Sequence, residues 1–383
     1  MNLLQRRFYK QQYNYSMDQV ATVKSTFKKL ENQVENFQVL AGFDGFVDEI
    51  IHVVDKREDM QRFKRIETIE AFSKRIATYS GLSGNIELVP TQIKLGGNGP
   101  IYANMLLAQG HKVVYMGAIG EGKVDPVFRE FADACEQVIS MADPGHTDAL
   151  EFLDGKLMLG KMNKLEDVSW GKLMTFISQS DLEKLLKKTR LVACNNWTML
   201  SKLNSILLGF DSIFQNLKTK PDLFIDLADP AKRTGDDIAI VLDILSRMHT
   251  NVILSMNQNE SSIIASVLGI VEKELVDRAA KIRSQLDLAA IVIHPVEGAA
   301  VATKTELAWI KGPYTPSPKL TTGAGDNFNA GFSNAWMYGL KPSECCAAGV
   351  CTSGFYVRNG FSPNKEQLMK FMYDWAVAGC GTI

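Results

Sequence analysis

Residues 319–331 read KLTTGAGDNFNAG, with Gly323 and Gly325 flanking Ala324 and an acid following at Asp326. Residues 328–338 then keep helical spacing. A glycine-rich turn running into a helix aims several backbone N–H groups at one spot, and the helix dipole adds positive potential there. Such a place suits an anion. In a phosphoryl transfer that anion is the γ-phosphate, with the charge developing on it. A carboxylate in the first helical turn, where Asp326 stands, can accept the proton of an attacking hydroxyl. The chain contains no GxxxxGK[ST], so no P-loop lysine is available. Taken alone, these residues also describe an acid-capped helix after a glycine turn, a common local structure.

Upstream of that turn, short apolar runs read as buried strands at 37–42, 112–117, 190–195, 222–227, 251–255 and 290–294. Between them, residues 101–109, 181–188, 238–248 and 272–286 have helical spacing. Strands that alternate with helices pair in parallel through crossovers, which gives an α/β layered domain. The C-terminal third, after 301–303, reads as mostly helical. Three stretches fall outside the alternation: FVDEIIHVVD (46–55), the run 88–95, and TDALEFLDGKLMLGK (147–161), whose Asp154-Gly155 pair signals a hairpin. Together they predict a small sheet able to close over the strand ends of the main layer. Residues 60–80 read as an amphipathic helix inserted between its strands.

Three more segments offer binding groups. Asn257-Gln258-Asn259-Glu260 follows a buried strand, and its Asn and Glu oxygens, three residues apart, can hold Mg²⁺ directly or through water. The same four residues also make a capped helix start. Gly96-Gly97-Asn98-Gly99-Pro100 precedes a helix, lets a ligand approach the backbone, and supplies an amide that can donate to and accept from hydroxyls. Asp44 and Asp48, in GFDGFVD, lie near the end of the first buried strand and can accept from vicinal hydroxyls.

Bulk properties exclude several classes. The chain has 383 residues with net charge -1, so no global basic field draws it to nucleic acid or anionic membrane. No apolar run approaches the roughly 20 residues that span a bilayer. The six cysteines show no CxxC pair or zinc spacing, which suits reduced thiols and a cytoplasmic location. His52, His111, His146, His249 and His294 form no triad or metal pattern and read as structural or solvent-facing. The glycines of residues 117–122 are spaced GxxGxG rather than GxGxxG, which counts against a dinucleotide-binding fingerprint. Residues 1–16 read as an extension or a misplaced start ahead of Met17. The expected organisation is an extension and first helix over 1–36, and one domain over 37–383 with lid strands drawn from about 44–56, 88–97 and 146–162.

Together and in this order, TTGAGDNFNAG, KLGGNGPIYANMLLAQG, YMGAIGEGKVDPVFREF and NQNE resemble the ribokinase-like, or PfkB-type, carbohydrate kinases. The resemblance runs from about Phe37 to the C-terminus. It implies a central, mostly parallel sheet flanked by helices, a small β-sheet lid, ATP and Mg²⁺. By the same resemblance Asp326 is the base, and the N–H groups of Gly323, Ala324 and Gly325 form the anion hole. Asn257 and Glu260 order the Mg²⁺. Asp48, Gly97 and Asn98 contact the substrate, with Asp44 as the alternative to Asp48. Thr322, Asp229 and Gly298 fall on the nucleotide side. Lid strands build a dimer interface in some relatives, which makes a homodimer an expectation.

Three positions depart from the family pattern. Leu320 replaces an acid that helps bind a monovalent cation beside the anion hole, Ile101 replaces a substrate-binding Asn, and Phe46 replaces the Asn before the first substrate Asp. They suggest a pocket more apolar on one side. The sequence leaves hexoses, ketose derivatives, sugar acids and nucleosides open as acceptors. The other reading is a sugar- or nucleotide-binding regulator that has lost catalysis.

Overall fold

A computed structural model describes residues 19–381, so residues 1–16 lie outside it. Among the described residues, fourteen strands form two sheets. In chain order they are β1 (Gln38–Phe43), β2 (Phe46–Arg57), β3 (Phe63–Arg65), β4 (Leu88–Gly96), β5 (Lys112–Gly117), β6 (Gln137–Ser140) and β7 (Gly145–Glu151). β8 (Lys156–Lys161), β9 (Thr189–Asn195), β10 (Asp222–Asp226), β11 (Val252–Met256), β12 (Ala290–Ile293), β13 (Gly298–Thr303) and β14 (Leu307–Lys311) follow.

The large sheet has the order β14-β13-β12-β11-β10-β9-β1-β5-β6. The seven strands from β12 to β6 run parallel, and β13 and β14 return antiparallel at one edge. Parallel strands covered by helices on both faces must be apolar on both faces. In β1, Val39 and Ala41 pack into one core while Leu40 packs into the other, and all three are fully buried. Burying such a side chain as valine or leucine contributes about 1.5–3 kcal/mol, which explains why these runs are continuous rather than alternating.

The second sheet, β3-β2-β7-β8 with β4 also on β2, is the predicted lid. Its own small core holds Ile51, Val53, Ile66, Phe72, Leu150 and Phe152. The strands β7 and β8 form the hairpin signalled by Asp154-Gly155, and Asp154 also accepts from the Ile69 N–H at 2.9 Å.

One expectation needs correction. Residues 60–80 are not one helix. Phe63–Arg65 pair with Val54–Arg57 as an edge strand, and the helix spans only Ile69–Ala77, begun by Thr68, whose side chain accepts from the Ala71 N–H. The cap fixes the helix start, and the basic, alternating run before it pairs instead. The chain after Thr303 is mostly helical, as expected, but a strand comes first. Thr303 and Glu306 close a tight turn at 2.9 Å that returns β14 along β13. Elsewhere helices start earlier than their apolar spacing indicates, at Asn98 and Ala324, because their first turns are built of glycine, proline and polar residues.

The helix over residues 19–31 docks on this domain. Val23 and Leu30 join one core, and the Lys29 ammonium meets Glu344 at 2.6 Å.

Candidate active site

Five parallel strands end at the same edge, and each delivers a polar residue there: Asp44 after β1, Asn195 and Asn196 at β9, Asp226 at β10, Asn257 after β11 and His294 after β12. Ligands of open α/β sheets bind at these carboxyl ends. Over them sits the N-terminus of the helix Ala324–Met337. Gly323 caps it with φ 89°, a left-handed conformation that suits glycine. A Cβ there would lie 2.7 Å from the Tyr356 hydroxyl. That hydroxyl donates to the Thr322 carbonyl at 2.9 Å and ties the turn to the next helix.

Within the turn, the Ala324 N–H donates to the Thr321 carbonyl at 3.1 Å. Of the three N–H groups expected to form an anion hole, this one is therefore already bonded. The next N–H groups, of Gly325 and Asp326, have no carbonyl one turn back inside the helix.

Asp326 is buried in the first helical turn. Its Oδ1 accepts from Asn98 Nδ2 at 2.9 Å. Burial foremost, then the Asp226 and Asp44 charges, hold its proton affinity well above the usual carboxylate range, against the opposing Asn98 hydrogen bond. Asn98 is a bridge, because its backbone N–H donates to Asp44 Oδ2 at 3.0 Å. Asp44 is fully buried and also accepts from the Gly99 N–H at 2.8 Å and from Asn196 Nδ2 at 2.7 Å. Burial raises its pKa to about 6 even so. Asp44 thus caps the helix Asn98–Ala108 from outside the helix. Gly97, at φ 101°, passes so close that a Cβ would sit 3.2 Å from the Gly45 Cα.

Asp48 lies on the lid, opposite the end of β4. A Cβ on Gly96 would be 2.3 Å from its carboxylate, so any side chain there would displace that carboxylate. Burial raises its pKa, opposed by a Thr147 hydrogen bond and the Lys94 and Lys156 charges. Of the departures from the family pattern, Ile101 reaches within 3.3 Å of the Gly323 Cβ position, and Phe46 packs against Gly145.

Asn257 and Glu260 form a reciprocal capping box on the helix Gln258–Val267. Asn257 Oδ1 accepts from the Glu260 N–H at 3.0 Å, and Glu260 accepts from the Asn257 N–H at 2.7 Å and from Asn257 Nδ2 at 2.5 Å. Burial, the Asp226 charge, and then Asp229 and Asp326 push Glu260 up to about 9. Among the described residues no three His, Cys, Asp or Glu side chains make a closed metal cage. The donor set suits Mg²⁺ that arrives largely hydrated on phosphates, since that ion uses one or two protein carboxylates. The mutual repulsion of these acids is what a cation would relieve.

A cavity of about 340 Å³ opens on the other side of the turn. Asn257, His294, Gly298, Thr321, Ala324 and Gly325 line its inner end, and Pro313, Tyr314, Val350 and Val357 its walls. Gly298 lines this cavity, and of the two neighbouring threonines Thr321 lines it rather than Thr322. Asp229 caps a short 3₁₀ turn at Pro230–Lys232 and reaches the site only through its charge on Glu260.

Sequence reasoning missed Asp226, Asn196, Asn329 and His294. Asp226 accepts from the Ala228 N–H at 2.7 Å and from Asn329 Nδ2 at 2.6 Å, and Asn329 accepts from the Ser255 hydroxyl at 2.7 Å. His294 is half-buried and lines the cavity. The rule that strand ends bind ligands, applied to every strand, would have found Asp226 and His294.

Comparison with known proteins bears on this geometry. A ketohexokinase of Haloferax volcanii is 26% identical over 358 residues, covering 92% of this chain and 95% of that protein. The adenosine kinase of Trypanosoma brucei brucei aligns with a TM-score of 0.64 at 17% identity, covering 85% of this chain and all of the other. The Arabidopsis thaliana ribokinase complexed with ribose and ATP aligns with a TM-score of 0.61 at 16% identity, over 89% of this chain and 99% of that one. The sequence model of the prokaryotic ketohexokinases matches residues 16–375. This chain belongs to that prokaryotic ketohexokinase family, within the ribokinase-like (PfkB-type) carbohydrate kinases.

Proposed function

We propose that this sugar kinase transfers the γ-phosphoryl group of ATP to a hydroxyl of a ketohexose, with Mg²⁺, and that Asp326 is the general base. The observation that carries the reading is the placement of Asp326. Its carboxylate stands in the first turn of the glycine-capped helix and is oriented by Asn98, the first residue of the helix that follows lid strand β4. Acceptor and phosphate are thereby both within reach of one helix terminus. The ketohexose assignment follows the Haloferax volcanii relative and the family match.

In this reading the acceptor lies between the lid and the strand ends. Asp48 and Asn98 bind its hydroxyls, while Asp44 holds the Gly97-Asn98-Gly99 backbone in place. The raised proton affinity of Asp326 makes it a stronger base for an alcohol than an exposed carboxylate. The γ-phosphate sits at the N–H groups of Gly325 and Asp326, whose fixed dipoles favour the charge formed during transfer. Bound Mg²⁺ would neutralise phosphate charge, and Asn257, Glu260 and Asp226 would hold its waters. The nucleotide occupies the cavity past Gly298 and Tyr314. Exposed Ile93 and Leu159, which share one face of the lid sheet, support a homodimer through that face.

The test is ADP release from ATP and Mg²⁺ across ketohexoses, aldoses, sugar acids and nucleosides, with Asp326→Asn as control. Turnover on a ketohexose that vanishes in the variant is expected. Turnover confined to another class would overturn the acceptor, and bound ATP without turnover on any compound would favour a regulator.

A further inference from the structure

His294 follows β12 directly, and its backbone N–H donates to the Met256 carbonyl at 3.0 Å. The imidazole stacks on Phe328, with ring centroids 4.6 Å apart. Its Cε1 lies 3.4 Å from the Cβ position of Gly325, so the ring's edge abuts the turn that ends at Asp326. Nε2 is buried and has no hydrogen-bond partner among the described residues. His294 is also among the residues that line the cavity. A buried polar atom left unpaired at the wall of a cavity is a site waiting for a partner, because leaving its hydrogen bond unmade is costly.

We propose that His294 binds the polyphosphate of the nucleotide through Nε2 and takes up a proton from solvent as the nucleotide binds. The inference rests on the kinase reading above. Without ligand, burial holds the ring neutral, with a pKa lowered to about 4, while the ring bonds to its own backbone. An Nε2 without a proton repels a phosphate oxygen. An Nε2 that carries one donates a charge-assisted bond to it. A polyanion at this position therefore raises the proton affinity of the ring, and the bond is present below the pKa of the complex and lost above it.

Other ionisable groups stand on the surrounding elements. They are Asp326 on the helix Ala324–Met337, Glu260 on the helix Gln258–Val267, and Tyr356 and Arg358 on the helix Pro342–Asn359. Glu297 lies in the ring's own loop, and Tyr314 and Lys319 lie in the loop opposite. Burial and the ring's own backbone, not these charges, set its state without ligand.

The measurement is calorimetric ADP binding from pH 6 to pH 8, in buffers of different ionisation heat, for the wild type and His294→Phe. The phenylalanine keeps the stack on Phe328 and removes Nε2. Subtracting the variant cancels the titration of the nucleotide's own terminal phosphate. The expected difference is a net uptake approaching one proton, with wild-type affinity about tenfold higher at pH 6 than at pH 8 relative to the variant. Adenosine should show no such difference. Histidine ¹⁵N shifts of the wild type with and without ADP read the same proton without any variant. ADP binding with equal proton exchange in both proteins, or an unchanged ring shift, overturns the role of His294 and leaves the kinase reading intact. A wild type that binds neither ADP nor ATP overturns the kinase reading itself.

Discussion

The two sides of the helix N-terminus at Gly323 are built on opposite plans. On the proposed acceptor side, short hydrogen bonds join Asp44, Asn98, Asn196 and Asp326 in one network and Asp226 to Asn329 in another, and most of these residues are buried. On the proposed nucleotide side, the cavity is walled mostly by glycine, proline, valine and tyrosine, with Asn257, His294 and Thr321 among its polar lining and no such network of acids. The difference teaches where the chemistry needs fixed geometry. Proton transfer demands a base held within hydrogen-bond reach. A nucleotide brings its own charge and hydrogen-bonding groups, so an open slot of suitable shape is enough to hold it.

If that contrast is right, acceptor-side changes should damage chemistry more than changes on the nucleotide side. Asp326→Asn should lower kcat by about 10³-fold and leave ATP binding near wild type, as steady-state rates and calorimetry would report. Gly323→Ala should reduce kcat by about 100-fold, because the left-handed φ and the Tyr356 hydroxyl both oppose a Cβ. A melting curve should also show a loss of about 1–2 kcal/mol. Asp48→Asn should raise the acceptor KM about tenfold, or about 1.4 kcal/mol, with a smaller change in kcat. An unchanged KM would move substrate contact to Asp44.

The acids also predict a slope in stability. Asp44 at about 6 and Glu260 at about 9 hold protons that the unfolded chain releases near 3.8 and 4.5. Between those values the native state binds more protons, so the ligand-free melting temperature should fall as pH rises toward 9. Mg²⁺ with nucleotide should flatten the fall. Smallest is Tyr314→Ala, on a half-exposed cavity wall. It should raise the ATP KM about threefold and move stability by less than about 0.5 kcal/mol. A larger effect there than at Asp48 would break the contrast.

The parts legible in the sequence were those whose physics is local. The strands β1, β5, β9, β10, β11 and β12 are apolar on both faces and announce themselves as runs. The strands β3, β6 and β14 are short and lie at sheet edges, where half-exposed pairing leaves a mixed pattern. Asp44, Asn98 and Asp326 could be named because each sits in a glycine-marked segment. Asp226, Asn196 and Asn329 could not, since their roles arise only when separate strand ends and a helix face meet. NQNE illustrates a third case: the capping box is present, and the same Glu260 stands in the acidic field that the proposed Mg²⁺ role would use.

The strand β4 ends at Gly96, and two residues later Asn98 grips the carboxylate of Asp326. The lid is therefore not an interchangeable part. One residue inserted at this junction would move the amide by about 3.3 Å, more than the 2.9 Å bond tolerates. Anyone grafting a new acceptor preference onto this scaffold should cut at the β7–β8 hairpin, whose tip is remote from that seam, and leave the β4 splice as it is.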